Sequence, residues 1–318
     1  MDPVWLKPGP SDKGSWRRLF LSNPTPSQSG ATHMSVTITL LIENTVQRRG
    51  LLAEHGLAYG IDFNGHKILF DTGQSSAVLE RNAQVLGWDL SAIEAVVLSH
   101  GHFDHTGGLP AVLAAAPAAR ILAHPRAFDQ KFQRLEGRIG NYSTPDASLE
   151  VVRRHAANVV PTTGVTEIVP GLFATGEVPR TNDYETTGGA FFLDADGLTV
   201  DPIIDDQSLF FRAAEGVVVL LGCSHAGVVN TVDCIASRFP GEPVAAIVGG
   251  MHLWRTSAAH RRLVGEKLLA RRPRLLAGCH CTGPLHELLP PGVEHVKVEQ
   301  AFVGSTYRWE LPENAQKS

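Results

Sequence analysis

Ser99-His100-Gly101-His102-Phe103-Asp104-His105-Thr106-Gly107-Gly108 is the stretch that decides how this chain is read. Its three imidazoles and one carboxylate stand at i, i+2, i+4 and i+5, a spacing that fits neither one helical face nor one strand face. The cluster therefore belongs on a turn. Glu94-Ala95-Val96-Val97-Leu98, directly before it, has the length and apolarity of a buried strand, and Gly107-Gly108 followed by Leu109-Pro110 marks a helix start. Strand-to-helix loops of this kind are where open α/β folds place their chemistry. Isolated histidines are ordinarily surface or satisfied core residues, and the chain holds 14 of them, but four ligand-type side chains within six residues do not fit that description. Neutral imidazole is the commonest metal ligand, and a mixed histidine and carboxylate set suits zinc, iron or manganese.

Before the cluster, Val36 to Ile42, Leu57 to Phe63 and Lys67 to Phe70 read as strands, the last two joined by a tight Asn64-Gly65 turn. Ser75 to Leu86 has helical spacing. After the cluster come a short helix, Pro110 to Ala116, and a strand, Ala119 to Ala123. Periodicity is then lost from Arg126 to Asp146, which predicts an excursion over the site. Val165 to Ala174, Ala190 to Leu193, Ser208 to Arg212 and Val217 to Leu221 read as strands, the last two as a hairpin around Ala214-Glu215-Gly216. Val228 to Arg238 and His260 to Ala270 read as helices, and Pro243 to Val248 and Arg274 to Ala277 as strands. The second half thus repeats the first: strands, then alternating helix and strand. Two sheets face to face with helices outside is the architecture this order predicts.

With 318 residues, 43% hydrophobic and 19% charged, the chain can bury a large core. A net charge of −4 offers polyanions no general attraction, so the expected partner is a small molecule rather than a nucleic acid. The oligomeric state is left open. The four cysteines, Cys223, Cys234, Cys279 and Cys281, do not form a disulfide framework. Cys279 and Cys281 flank His280, but zinc pairs ordinarily have two or more intervening residues, so buried thiols are the expectation. No run approaches ~18 apolar residues, so no membrane span is expected. Arg17-Arg18 faintly resembles a twin-arginine signal, yet Ser22 to Thr32 is polar and proline-rich where an apolar region should follow. The expectation is a cytoplasmic protein, with residues 1–33 a disordered leader or cloning-derived segment. Residues 34–318 would then form a single domain with loop excursions near 126–150 and 178–190.

The run His100 to His105 matches the pattern His-Xaa-His-Xaa-Asp-His, and with it the chain resembles the metallo-β-lactamase fold superfamily. Phe70-Asp71-Thr72-Gly73, Leu221-Gly222-Cys223-Ser224-His225-Ala226-Gly227, Gly249-Gly250-Met251-His252-Leu253 and Cys279-His280-Cys281-Thr282-Gly283 resemble the subgroup related to 7,8-dihydropterin-6-methyl-4-(β-ribofuranosyl)aminobenzene 5′-phosphate synthase. The resemblance implies an α/β fold, a four-layer αββα sandwich of two mixed sheets. It implies two divalent metal ions, zinc before manganese or iron. His100 and His102 would bind the first, with His225 as its third ligand, and Asp104, His105 and His280 the second. Cys223 falls near the place of a bridging aspartate in many relatives, so the bridge is Cys223 itself, Asp205 or Asp206, or is absent. Asp71 resembles an early aspartate that fixes the tautomer of a ligand imidazole. His252 is assigned a second-layer or substrate contact.

Two divalent metals sharing a water lower its pKa from near 15.7 towards about 7, which supplies hydroxide at neutral pH. The expectation is therefore a hydrolase that cleaves an ester-type bond, whether phosphoester, lactone or thioester, in a small anionic substrate, pterin-like or nucleotide-like. Asp104 would orient the nucleophile. Diiron oxygen-reducing relatives carry a carboxylate where this chain has His102, which disfavours a redox role. The alternatives are a metal-containing binding or signalling protein with little turnover, and a nucleic-acid phosphodiesterase. Arg180 and Glu185, then Arg126 and Arg138, are the expected substrate contacts, arginine being suited to bidentate anion recognition.

Overall fold

The computed structural model describes residues 34–290 and 292–312, so the expected leader at 1–33 lies outside the described residues. One seven-stranded sheet has the order Thr306–Glu310, Ser35–Ile42, Ala58–Phe63, His66–Phe70, Ala95–Val97, Arg120–Ala123, Val159–Pro161. A second, also of seven strands, has the order Lys297–Gln300, Leu275–Gly278, Val244–Gly249, Gly216–Leu221, Leu209–Ala213, Leu172–Ala174, Thr166–Val169. Both are mixed. His66–Phe70, Ala95–Val97 and Arg120–Ala123 run parallel, as do Gly216–Leu221, Val244–Gly249 and Leu275–Gly278, while the meanders around them are antiparallel.

Strand alternation explains the layers. Ile38, Leu40, Ile61, Ile68, Phe70 and Val97 point inward and meet Leu209, Phe211, Val218 and Leu220 of the other sheet. Their neighbours Leu41, Leu69, Val96 and Leu98 point outward onto helices through Leu79, Val112 and Val152. On the opposite side Val217, Val219, Leu221 and Ile247 pack against Val232, Ile235, Val264 and Leu268. Three apolar layers separate four layers of structure, the αββα sandwich that the strand and helix order predicts. Tyr59 stitches the two sheets by donating its hydroxyl to the Leu221 carbonyl at 3.1 Å. No helix among the described residues is long and apolar enough to cross a membrane.

The structure corrects the sequence reading in two places. The stretch from Arg126 to Asp146 is not aperiodic: Phe132–Leu135 and Arg138–Asn141 form a hairpin, and a helix follows at Asp146–Arg154. The hairpin turns on Glu136 and Gly137, both left-handed, and pairs with Ala190–Phe192 into a small third sheet. With Arg134, Arg138 and Gly140 exposed, no clean alternation survives to be read. Val165 to Ala174 is two strands rather than one, Thr166–Val169 and Leu172–Ala174, hinged at left-handed Gly171.

The small sheet is fastened to the loop that carries His100 and His102. Lys131, 1% exposed, places Nζ 2.7 Å from Asp205 Oδ1 and 3.2 Å from Asp201 Oδ2, and Asp205 Oδ2 accepts the Gly101 N–H at 2.9 Å. Breaking a buried ion pair on one side leaves an uncompensated charge. Lys131→Met is therefore expected to destabilise the fold by about 3–5 kcal/mol. Urea unfolding measures this, and an unchanged midpoint would remove the network from the account.

Candidate metal centre

Each loop that carries a ligand expected from the sequence leaves the carboxyl end of a strand with a parallel neighbour. Asp71 follows His66–Phe70 and the histidine cluster follows Ala95–Val97. In the second sheet, Cys223 to His225 follow Gly216–Leu221, His252 follows Val244–Gly249, and His280 follows Leu275–Gly278. Asp71, Ser224, His252 and His280 all adopt left-handed φ, between 50° and 61°, which costs these non-glycine residues about 1–3 kcal/mol each. The turns are held open by close backbone approach. A Cβ on Gly101 would stand 1.8 Å from the Ala127 carbonyl oxygen, and one on Gly107 1.9 Å from that of Gln74.

His100, His102 and His225 form one cluster, their ligand atoms all within 4.8 Å of one another. His100 donates from Nδ1 to Ser99 Oγ at 2.9 Å, so its Nε2 carries a lone pair, which faces His102 Nδ1 at 2.9 Å. His225 donates from Nδ1 to the Thr187 carbonyl at 2.8 Å, which leaves its Nε2 buried with no partner. His102 Nε2 is likewise buried and unpartnered. Burial, reinforced by the neighbouring imidazoles, holds His100 and His225 well below the ordinary histidine range, and burial does the same for His102. Three neutral imidazoles whose ligand nitrogens crowd together, with His225 Nε2 left unpartnered, fit a cation.

The second cluster is built around Asp104, His105, Cys223 and His280. His105 Nε2 lies 3.3 Å from Cys223 Sγ and 3.6 Å from Asp104 Oδ2, and His280 Nε2 lies 3.4 Å from the same oxygen. Burial opposes the charge on Asp104, but His105 and His280 outweigh it and hold the carboxyl well below its usual range. Burial likewise opposes protonation of His105, and Asp71 overcomes it to raise the imidazole. Asp71 Oδ2 accepts from His105 Nδ1 and from Ser99 Oγ, each at 2.6 Å, and Oδ1 accepts the Ser99 N–H at 2.6 Å. One carboxylate thus orients His105 directly and His100 through Ser99.

Several site residues escaped the sequence reading. Asn44 Oδ1 accepts from His280 Nδ1 at 3.1 Å, and Glu43 Oε1 accepts the His280 N–H at 2.7 Å. His55 places Nε2 3.2 Å from Asp104 Oδ2. Cys281 joins Cys223 and His280 in a further convergent group. The one available signal for Glu43 and Asn44 was a polar pair at the end of the apolar run Leu40-Leu41-Ile42.

Other candidates have structural work instead. Asp205 supplies no bridging carboxylate, because both of its oxygens are committed to Lys131 and Gly101. Asp206 turns Oδ2 to the Ala226 N–H at 2.9 Å beneath the His225 loop and leaves Oδ1 buried without a partner, and burial pushes its carboxyl up to about 7. Arg180 donates to the carbonyls of His225 and Pro202, and Glu185 accepts the N–H groups of Val229 and Asn230, capping a helix start. Arg126 pairs with Asp129, and Arg138 is exposed on the small sheet. None of these four lines the cavity of about 390 Å³ that opens over the two clusters. Its walls are Tyr142, Phe191 and Trp254, with Arg255 stacked 4.2 Å over the Trp254 ring. His252 also lines it, its ring 4.3 Å from that of His225 and its Nδ1 buried without a partner.

The chain belongs to the metallo-beta-lactamase superfamily, whose sequence profile matches residues 53–231. Among particular relatives, it is 29% identical over 243 residues to the 7,8-dihydropterin-6-methyl-4-(beta-D-ribofuranosyl)-aminobenzene-5'-phosphate synthase of Methanocaldococcus jannaschii, covering 73% of this chain and 82% of that one. An uncharacterized protein of the same organism is 28% identical over 252 residues, 77% of this chain and 90% of its own. A solved structure described as a metal-dependent hydrolase of the beta-lactamase superfamily superimposes with a TM-score of 0.70 at 29% identity, covering 86% of this chain and 98% of that one. Members of the superfamily are generally metal-dependent hydrolases.

The carboxylate behind His105 generates the expected outcome here. Removing a partner that orients a ligand imidazole typically costs 10–100-fold in metal affinity. Asp71→Asn is expected to weaken zinc binding by about that factor, read by competition with a chromophoric chelator, whereas equal affinity would deny Asp71 the orienting role.

Proposed function

We propose that this protein is a hydrolase that uses divalent cations, zinc foremost, to cleave an ester-type bond in a small anionic substrate. The observation that carries the reading is the pair of ligand clusters at the floor of one cavity, in which buried His225 Nε2 has no partner except a cation to satisfy it. His100, His102 and His225 would hold one cation, and Asp104, His105 and His280 with Cys223 the other. Cations held there would supply Lewis-acid polarisation and a water that ionises near neutral pH. The imidazoles of His100, His102 and His225 are kept neutral by burial, the protonation state that a ligand needs. Asp104 stays ionised and borders the cavity, placed to orient an attacking water.

Substrate recognition falls to residues on the cavity wall. Tyr142, Phe191 and Trp254 offer aromatic faces to a flat ring. Arg255 lines the same cavity, and no carboxylate among the described residues pairs with it, so its guanidinium is available to an anion. Asp104 is the one carboxylate on the lining, and it faces the ligand histidines. A flat anionic heterocycle accords with the dihydropterin phosphate in the name of the methanogen relative. With a net charge of −4 and a cavity rather than a basic groove, a small molecule is favoured over a nucleic acid.

Elemental analysis combined with p-nitrophenyl phosphodiester, lactone and thioester substrates tests the reading. Wild type is expected to carry metal and hydrolyse at least one class, and His102→Ala to lose both, with activity falling by roughly two orders of magnitude or more. Hydrolysis that survives the loss of metal would contradict it. For the wall, Arg255→Gln is expected to raise KM about tenfold on bis(p-nitrophenyl) phosphate, as for a lost charge-assisted hydrogen bond, and to leave a neutral lactone unchanged. An equal effect on both substrates would remove Arg255 from anion recognition.

A further inference from the structure

We propose that Cys281 is a cation ligand alongside Cys223 and His280, which makes the second position of the centre a two-sulfur site selective for zinc. The proposal rests on the metal-centre reading above and extends it to a residue that neither the motif nor the orienting network assigns.

The geometry separates Cys281 from the other cysteine of its run. Cys279 continues the strand direction into the inter-sheet core, where its sulfur lies 3.7 Å from the Tyr59 hydroxyl. The chain then takes a left-handed step at His280, φ 53°, and the strand alternation is lost. As a result His280 and Cys281 both turn towards the cavity and both line it. The ligand atoms of Cys223, His280 and Cys281 all lie within 4.8 Å of one another. Tetrahedral zinc, with Zn–S near 2.3 Å and Zn–N near 2.0–2.1 Å, sets its ligands about 3.5–3.8 Å apart, a spacing that falls inside that limit.

Space for the second sulfur is built into the neighbouring loop. A Cβ on Gly250 would stand 2.8 Å from Cys281 Sγ, so a side chain there would occupy the sulfur's position. Thr282, next in the chain, pins this loop by donating to the Gly249 carbonyl at 2.9 Å and accepting the Met251 N–H at 3.1 Å. The sulfur therefore sits in a pocket shaped around it, at the cavity floor, beside a second thiol and an imidazole.

The consequence is a division of labour between the positions. His100, His102 and His225 present nitrogen alone, a set that zinc, copper, iron and nickel all accept. Cys223 and Cys281 add two soft sulfurs, which favour zinc and disfavour manganese and magnesium. A thiolate pair also carries the negative charge that Asp104 alone would otherwise supply to that cation.

Cobalt(II) substitution reads sulfur ligation directly, through sulfur-to-cobalt charge-transfer absorption in the near ultraviolet, without reference to turnover. In the cobalt-loaded protein, Cys281→Ser and Cys223→Ser are each expected to remove about half of that band, and the double substitution all of it. X-ray absorption at the zinc edge of the unsubstituted holoprotein provides a reading that needs no variant: a zinc ion with two sulfur neighbours near 2.3 Å is expected. In zinc against manganese competition, Cys281→Ser is expected to lose at least tenfold in discrimination. A band untouched by Cys281→Ser but abolished by Cys223→Ser, with one sulfur per zinc, overturns the proposal and leaves the metal centre standing. Failure of the wild-type protein to take up cobalt or zinc overturns both.

Discussion

A carboxylate buried to zero exposure and holding three hydrogen bonds is the constraint on which the centre depends. Asp71 has no access to water, so its charge is tolerable only if every lone pair that matters is occupied. Ser99 and His105 occupy them, and in doing so they are fixed. Fixing Ser99 fixes the tautomer of His100, because a serine hydroxyl already donating to Asp71 can only accept from His100 Nδ1. A single buried anion therefore determines which nitrogen faces the cavity on two different imidazoles.

The rest of the sandwich can be understood as what brings five loops to that anion. Asp71 and the histidine cluster come from one sheet, and Cys223, His225, His252, His280 and Cys281 from the other. The two groups meet only because the inward faces of both sheets are apolar and pack against each other. Contacts from outside the parallel strands complete the arrangement: Glu43 and Asn44, at the end of the first strand, clamp His280 across the sandwich. The hydrogen bonds around Asp71 and His280 thus tie the two sheets' loops together, while His102, His225 and His252 keep unpartnered nitrogens in the site.

How much was legible in the sequence follows from range. The strand before His100, the turn at Asn64-Gly65 and four of the outer helices, Ser76–Leu86, Leu109–Ala115, Val228–Ala236 and Ala258–Leu269, are set by local pattern, and they lie within a residue or two of where pattern puts them. The hairpin at Phe132–Leu135 and Arg138–Asn141 was invisible because its strands are four residues long and only Phe132 among them is buried, too little to impose alternation. Within the site, the motif residues were visible because they are crowded in sequence. Glu43, Asn44 and His55 reach the same centre from places where nothing in the local pattern marks them, and only the folded topology supplies the connection.

The arginines show the same limit from the other side. An arginine in an irregular loop near a presumed site has two uses, and its sequence neighbourhood does not separate them. Arg180 spends its guanidinium on the carbonyls of His225 and Pro202, so its charge stabilises a loop whose backbone would otherwise be short of donors. Arg255 lies over an indole ring with no carboxylate pairing it among the described residues. A guanidinium stacked on an aromatic face keeps its N–H groups directed outward, and stacking restricts the side chain before any ligand arrives. Less freedom is then lost on binding, so the stacked arginine is the better anion contact even though both stand six residues beyond a strand end.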